Sequence, residues 1–274
     1  MSPATFSALD AIDFPHAVVV TDAERVRAAH GPDSTIFPWA SVTKLVTAMA
    51  TLVAVERHLV DLDEAAGPEG ATVRHLLAHA SGVPFGGGDV IAKPGDRRIY
   101  SNYGFELLAD HVAFAVGTDF PEWAEESVLV PLGMSTVVID GSAAHAGSGS
   151  AADLAALGRE LLVPTLVSPE LHGEATRVVF PGLTGVLPGF GRQKENDWGL
   201  GLEVRGAKTP HWTGAENDPA TFGHFGQSGS FLWVDPRAGL ATAFLGASPF
   251  GDWAAQVWPR LSDDVLAAAR DGAL

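Results

Sequence analysis

The stretch FPWASVTKLVTAMATLVAV, residues 37–55, joins a long apolar helix pattern to one serine–lysine pair near its start. Its apolar residues recur at helical spacing and predict a helix over residues 41–59. Ser41 and Lys44 are three positions apart, so their side chains lie on one face of that helix. A charge is unexpected among such apolar turns, and this placement indicates a chemical role for the pair.

Ser41 and Lys44 have the residue types of a nucleophile and its base. A serine hydroxyl is a weak nucleophile at its ordinary pKa and needs an adjacent base. Burial would lower the pKa of the lysine amine and leave it free to accept a proton. The alternative is a helix-capping serine beside a lysine whose amine reaches solvent, and the spacing alone does not decide between them.

Two further motifs follow in the sequence. Tyr100-Ser-Asn102 precedes a predicted helix, and a phenol beside a lysine can relay a proton while an asparagine can donate to a substrate carbonyl. Gly223-His-Phe-Gly-Gln227 lies in a predicted strand, where glycine lets a ligand approach the backbone. There the Gln227 N–H can serve an oxyanion, and His224 can hold the substrate. Each motif taken alone also has a purely structural interpretation. Tyr100 would be an interfacial tyrosine, Asn102 a helix cap, and residues 223–227 a β-bulge.

The composition is that of an acidic chain of 274 residues without cysteine. Seventeen basic against 33 acidic residues give a net charge of −16, which argues against nucleic acid or an anionic membrane as partner. The absence of cysteine excludes disulfides, thiolate nucleophiles and cysteine zinc sites. The longest uncharged apolar run, residues 45–55, is shorter than the about 20 residues that span a bilayer. Residues 1–13 lack the pattern of a signal peptide, and we expect a soluble, cytoplasmic protein.

Hydrophobic periodicity predicts strands towards both ends of the chain and helices between them. Residues 164–191, rich in glycine and proline, are predicted to have little regular structure. This order favours an α+β fold in which both ends of the chain build one antiparallel sheet and a helical lobe is inserted. The predicted strands are 16–21, 25–30, 198–204, 222–228, 230–234 and 240–245, and the predicted helices are 41–59, 72–80, 103–116, 120–130, 151–163 and 253–270.

In this order, the Ser-x-x-Lys, Tyr-x-Asn and His-x-Gly motifs resemble those of the serine β-lactamase and penicillin-binding-protein superfamily. The resemblance is to its class C branch, which includes DD-peptidases, D-aminopeptidases and family VIII-type esterases. It implies the serine β-lactamase-like fold: an α/β sandwich lobe from residues 1–60 and 216–274, a helical, loop-rich lobe from 61–215, and an active site between them. Matching segments outside the motifs are LLAHASGV at 76–83, WGLG at 198–201 and SFLWVDPRAG at 230–239.

The same resemblance implies a role for each matching residue. Ser41 would be the acylated nucleophile, and Lys44 and Tyr100 would share the general acid and base work. The backbone amides of Ser41 and Gln227 would form the oxyanion hole. No cofactor and no metal is implied. The residues implied in substrate binding are Asn102, on the acyl side, together with His224, Phe225 and Gly226.

His224 departs from the family pattern, which usually has lysine there. A histidine is mostly neutral at pH 7 and holds a substrate carboxylate less firmly. This and the acidic charge favour a neutral substrate over an anionic β-lactam. We expect a serine hydrolase that acts by an acyl-enzyme on a small ester or amide, foremost an esterase. A DD-carboxypeptidase, D-aminopeptidase or weak β-lactamase is the alternative, followed by an acyltransferase or a non-catalytic binding protein; the oligomeric state is not predicted.

Two other patterns have plainer interpretations. His75 and His79 have the i, i+4 spacing of a zinc helix but lack the adjoining glutamate of metalloproteases, so we expect a structural turn. Trp39 and Trp212 are interpreted as core residues, with an apolar acyl pocket as the alternative.

Overall fold

The structure is a computed structural model and describes residues 6–274. Short non-α helical turns occupy Ser7–Ala11, Ala40–Val42 and Glu125–Leu129. The strands are β1 (His16–Thr21), β2 (Val26–His30), β3 (Phe37–Pro38), β4 (Val138–Ile139), β5 (Gly147–Gly149), β6 (Gly185–Leu187), β7 (Gly191–Gln193), β8 (Glu203–Val204), β9 (Phe222–Gly226), β10 (Ser230–Asp235) and β11 (Leu240–Gly246). The α-helices are α1 (Thr43–Glu56), α2 (Val73–Leu77), α3 (Asn102–Val116), α4 (Phe120–Ala124), α5 (Ala151–Leu162), α6 (Pro169–Thr176) and α7 (Asp252–Arg270).

A six-stranded antiparallel sheet organises the molecule, with the strand order β2-β1-β11-β10-β9-β8. The first strand of the chain pairs with the last: His16 lies opposite Gly246, and Thr21 opposite Ala241. The central strands β9, β10 and β11 are buried along their whole length because both faces of the sheet are covered. The predicted α+β fold, with one sheet built from both ends of the chain, is confirmed.

Successive side chains along a strand point to opposite faces of the sheet and pack into two separate apolar layers. Val18 and Val20 belong to the layer beneath α7, whereas Ala17 and Val19 face the layer that contains α1 and α5. Helix α5 lies close to the sheet because residue 158 is glycine: a Cβ there would lie 2.9 Å from the Cβ of Ala241 on β11.

Residues 61–215 hold the remaining helices and short strands. Within this range, α5 packs against β1, β10 and β11, and β8 forms one edge of the six-stranded sheet. The range therefore contributes to the layers of the sheet as well as to the helical part. The boundary between the two lobes stays a prediction.

Several predicted elements differ in extent. The helix predicted over 72–80 is confined to α2, and of the strand predicted over 198–204 only β8 forms. Residues 164–191, predicted to have little regular structure, hold more of it than predicted, since α6 lies there and β6 pairs with β7. The Ser168 hydroxyl caps α6 by accepting the Leu171 N–H at 3.3 Å, a local signal that outweighs weak apolar periodicity.

No helix among residues 6–274 is both long and apolar enough to cross a membrane.

Candidate active site

Ser41 lies in a strained turn directly before α1. The preceding residue, Ala40, has a φ of 45°, in the left-handed region that side chains other than glycine rarely adopt. Two hydroxyls hold the turn: Thr43 Oγ1 donates to the Ala40 carbonyl at 2.6 Å, and Ser230 Oγ donates to the Trp39 carbonyl at 2.8 Å. The sheet, through Ser230 on β10, thus fixes the position of Ser41.

Lys44, in the first turn of α1, is fully buried. Its Nζ donates to Asn102 Oδ1 at 2.6 Å and to the Ala144 carbonyl at 2.9 Å, and it lies 3.4 Å from Ser41 Oγ. Burial lowers the pKa of Lys44 well below its ordinary value, because an ammonium loses its hydration there, and the Glu106 carboxylate opposes this only in part. The amine next to Ser41 is therefore held towards its neutral form.

Tyr100 approaches Ser41 from the residues just before α3. Its hydroxyl donates to Ser41 Oγ at 2.7 Å. Burial raises the pKa of Tyr100 above its ordinary value, and the hydrogen bond with Ser41 opposes this only partly. Its ring centroid lies 4.7 Å from that of His79 and 5.9 Å from that of Trp198. The phenol is therefore protonated at neutral pH and acts as a donor to Ser41.

His75 and His79, the two histidines with zinc-helix spacing, form hydrogen bonds with different neighbours. His79, with a φ of 54°, is buried behind Tyr100, and its Nδ1 accepts the Ser101 N–H at 3.2 Å. His75 Nδ1 is bonded to Thr72 Oγ1 at 2.8 Å. Among the residues that the structure describes, no group of three His, Asp or Glu side chains is placed to hold a metal ion.

Strand β9 brings the third motif beside Ser41. A Cβ at Gly226 would overlap the Trp39 carbonyl oxygen, so only glycine lets this strand touch the turn that carries Ser41. Gln227 follows as the first residue of the turn into β10. Within residues 6–274, neither the Gln227 N–H nor the Ser41 N–H donates a hydrogen bond. Two backbone donors without a hydrogen-bond partner thus lie on adjoining segments, at Ser41 itself and beside it at Gln227.

His224 is buried between aromatic rings, 5.7 Å from Tyr100 and 5.4 Å from Trp198 between centroids. Its Nδ1–H donates to the Phe225 carbonyl at 2.6 Å. Burial, with Lys44 acting in the same direction, lowers the pKa of His224 to about 3, and the bond to Phe225 opposes this only partly. A neutral imidazole therefore occupies the position of the third motif's basic residue.

A cavity of about 920 Å³ opens at Ser41. The side chain of Lys44 and residue Gly226 lie behind its wall. The β6–β7 hairpin and the residues around Phe85 and Ile91 also line the cavity, and no sequence motif predicted this. The predicted site residues that line the cavity are Ser41, Tyr100, Asn102, His224, Phe225 and Gln227.

Trp39 and Trp212 do not line this cavity, so the alternative of an acyl pocket formed by them is wrong. Both are buried, and both indole N–H groups are engaged inside the protein. Trp39 donates to the Gly149 carbonyl at 3.1 Å, and Trp212 donates to Glu203 Oε2 at 2.9 Å.

A buried charged cluster at the cavity wall was not predicted. Glu203 forms an ion pair with Lys208, and its Oε2 lies 3.0 Å from His211 Nε2. Burial alone would raise the pKa of Glu203, but Lys208 and His211 outweigh it and lower the pKa to about 2. The signal in the sequence was Lys208 itself, one of only four lysines.

Comparison with known proteins supports one family. The family model described as Beta-lactamase matches residues 14–267. A crystal structure of a β-lactamase from Mycobacterium bovis has a TM-score of 0.94 at 50% sequence identity, covering 96% of this chain and 99% of that one. None of the curated protein sequences matches significantly.

Two more distant structures share the fold alone. The LovD6 mutant of simvastatin synthase from Aspergillus terreus has a TM-score of 0.78 at 18% identity, covering 98% of this chain and 94% of that one. EstCE1, a hydrolase with promiscuous acyltransferase activity, has a TM-score of 0.77 at 16% identity, covering 94% and 95%. With the family model matched over residues 14–267 and the fold shared throughout, the chain belongs to the β-lactamase family.

Proposed function

We propose that the protein is a serine hydrolase that forms an acyl-enzyme at Ser41 and acts on a small ester or amide, foremost an ester. One observation carries this proposal: Ser41 Oγ lies 2.7 Å from the Tyr100 hydroxyl and 3.4 Å from Lys44 Nζ, at the wall of an open cavity. Nucleophile, base and acid are thus within reach of one another.

Lys44 is the base in this proposal. A neutral amine has two N–H groups and one lone pair. The carbonyl oxygens of Asn102 and Ala144 take the two N–H groups, which leaves the lone pair for the Ser41 hydroxyl. Tyr100, being protonated, does not compete for that proton and instead orients the hydroxyl oxygen.

Acylation then follows with every proton accounted for. Ser41 Oγ attacks the substrate carbonyl as its proton passes to Lys44, and the carbonyl oxygen takes the negative charge between the N–H groups of Ser41 and Gln227. On collapse, the bond to the leaving group breaks and Tyr100 gives that group its proton. The Lys44 ammonium returns a proton to the Tyr100 oxygen, and both residues regain their resting state.

Water completes the cycle by attacking the acyl carbon as one of its protons passes to Lys44. On collapse the bond between that carbon and Ser41 Oγ breaks, Lys44 returns the proton to Ser41 Oγ, and the acid is released. The Asn102 amide N–H₂ is free to donate to the acyl side of the substrate, since its oxygen is held by Lys44. Neutral His224 and the ring of Phe225 line the cavity beside the reacting bond. They favour an uncharged group there, and hence an ester over an anionic β-lactam.

Two alternatives have a specific observation behind them. The Mycobacterium bovis structure at 50% identity is that of a β-lactamase, and this favours the alternative of β-lactam hydrolysis, with which we group peptide hydrolysis. The cavity of about 920 Å³ has room for an acyl acceptor beside the acyl group, and EstCE1 combines hydrolysis with acyl transfer. Acyl transfer would use the same acyl-enzyme, with an alcohol or amine in place of water.

The test begins with a fluorophosphonate probe and mass mapping of the adduct. We expect a single adduct on Ser41, turnover of 4-nitrophenyl butyrate, and a loss of at least about a thousandfold in Ser41→Ala. Ser135→Ala, an exposed serine outside the cavity, is the matched control and should retain both labelling and turnover. Labelling elsewhere, or none, would refute the mechanism. Faster turnover of nitrocefin or D-Ala-D-Ala peptides than of butyrate would instead assign the alternative.

A further inference from the structure

We infer that the site selects esters whose leaving alcohol ends in an anionic group on an apolar spacer, with Arg97 and Arg192 at the cavity as the partners of that anion. This rests on the proposed function, since it names the substrate class of the same site.

Arg97 and Arg192 stand out in a chain with a net charge of −16. Both are exposed, both line the cavity, and neither forms an ion pair with any residue from 6 to 274. Arg97 donates one N–H to the Ile91 carbonyl at 2.8 Å, which leaves most of its guanidinium donors unused. Glu203, the acidic residue of the cavity lining, is already neutralised by Lys208.

Apart from the exposed His145, which also lines the cavity, the other basic groups of the site are not available to an anion. Lys44 is buried and its pKa is lowered well below the ordinary value, and His224 is neutral. Arg98 is buried, and its guanidinium donates to backbone carbonyls that include those of Asn196 and Val179. Because Lys44, His224 and Arg98 are not available, the exposed arginines Arg97 and Arg192 are the permanently charged groups that can receive an anion of the substrate.

The cavity offers an apolar path alongside these arginines. Phe85, Ile91 and Val186 are 56%, 51% and 58% exposed, although they are large apolar residues, and all three line the cavity. Apolar side chains grouped around one opening indicate contact with an apolar ligand. A spacer of methylene groups fits this lining, whereas a directly attached carboxylate does not.

Backbone pairing places the arginines on the side of the leaving group. Arg97 is three residues before Tyr100, the proposed proton donor to that group. Arg98 pairs with Gly185, and across the β6–β7 hairpin Val186 pairs with Arg192. Two strand spacings, about 10 Å, thus lie between the segment that carries Arg97 and the strand that carries Arg192. The cavity wall formed by residues 97–100, β6 and β7 therefore contains Tyr100 and both arginines.

The experiment compares butyrate esters of ω-hydroxy acids with three, six and ten carbons against the neutral N-methylamides of the same compounds. We expect kcat/KM for the carboxylate to exceed that for the amide by about three- to tenfold at the longer spacers, and not at the three-carbon spacer. The preference should shrink in 1 M NaCl, because salt screens exposed charges. An equal or lower kcat/KM for the long carboxylates would overturn the inference, as would a preference confined to a carboxylate on the acyl chain.

Charge variants assign the effect to the two arginines. In Arg97→Gln and Arg192→Gln the carboxylate-to-amide ratio should fall towards one, and in the double variant Arg97→Glu/Arg192→Glu it should invert. Arg260→Gln, an exposed arginine on α7 outside the cavity, is the matched control and should keep the wild-type ratio. A ratio that survives in the double variant would refute the role of the arginines.

Binding separates this inference from the proposed function. Intact esters titrated into Ser41→Ala report the carboxylate-to-amide ratio of dissociation constants without any turnover. If the wild-type protein neither labels nor turns over, the proposed hydrolase is refuted, but an anion preference in binding still supports the cavity assignment. Active wild-type protein with no such preference in turnover or binding refutes the assignment alone.

Discussion

Lys44 suits the proposed role of base because the fold keeps its amine out of water while giving both N–H groups a carbonyl oxygen. The same enclosure sets the order of events at Ser41, since the raised pKa of Tyr100 keeps the phenol protonated. In the proposed mechanism, the two residues that contact the Ser41 hydroxyl oxygen have opposite roles: Lys44 accepts a proton and Tyr100 donates one. Their environments, more than their chemical types, separate these roles.

The acid limb of activity should report Lys44. Lowering the pH protonates its amine and removes the base, so kcat/KM should fall along a single ionisation. His224, with a pKa of about 3, adds no ionisation above about pH 4. The measurement is a pH–rate profile with a neutral ester. Lys44→Met should lower kcat/KM by about 10²–10⁴-fold across the whole range. An acid limb that disappears in His224→Gln would assign the ionisation to His224 and contradict this account.

At the scale of elements, the contact between β9 and the Ser41 turn determines whether the two backbone donors lie together. Gly226→Ala places a methyl group against the Trp39 carbonyl and pushes the strand away from the turn. Loss of one oxyanion donor lowers kcat by about 10²–10³-fold, and we expect a loss of that order. The measurement is steady-state kinetics with melting as a check of folding. Gly173→Ala, on α6 where an added Cβ meets no other atom within 4 Å, controls for loss of a glycine alone. Unimpaired kcat in Gly226→Ala would contradict the proposed oxyanion hole.

The charged cluster around Glu203 should be a large local determinant of stability. Glu203→Gln leaves the Lys208 ammonium buried without its counter-charge, which typically costs 3–5 kcal/mol, so we expect a loss of about 3–5 kcal/mol in the free energy of unfolding. Because its pKa is lowered to about 2, Glu203 stabilises the wild-type fold above about pH 4.5 and progressively less as the pH falls towards 2.

Urea unfolding at pH 7 and pH 3 measures both effects. Arg237→Gln, which removes a pair whose arginine is 84% exposed, should change the free energy of unfolding by less than about 1 kcal/mol. A Glu203→Gln protein as stable as the wild type would show that the ion pair adds nothing.

How far the sequence predicted these elements depended on length and periodicity. Strands β1, β10 and β11 and helices α3, α5 and α7 were predicted to within two residues, because each is long enough to show a period. Strands of two or three residues, such as β3 to β5, have no period and were missed. The three motifs were found because each has fixed spacing, whereas Phe85, Arg97 and the β6–β7 hairpin reach the cavity only through tertiary packing.

For the whole molecule, the excess of acidic residues is a source of repulsion throughout the fold. A net charge of −16 favours expansion, and salt screens it. Raising NaCl from about 10 to 200 mM at pH 7 should therefore raise the Tm by about 2–4 °C, which corresponds to about 1 kcal/mol for a domain of this size. Near the isoelectric point of about 4.8 the increment should vanish. A Tm that falls with salt at pH 7 would show that attractive charge pairs dominate.

The pairing of β1 with β11 also dictates when the protein can begin to work. His16 finds its partner Gly246 only after 230 further residues have been made, which at the usual rates of translation takes about 10–50 s. Until then the ribosome holds a chain in which α1 has already emerged but β9 to β11 have not. Throughout that interval Ser41 therefore lacks the contact between Ser230 and its turn and the Gln227 amide beside it. The proposed nucleophile is therefore made early and the residues that complete its site are made late, so the proposed hydrolysis can begin only after β11 has been made.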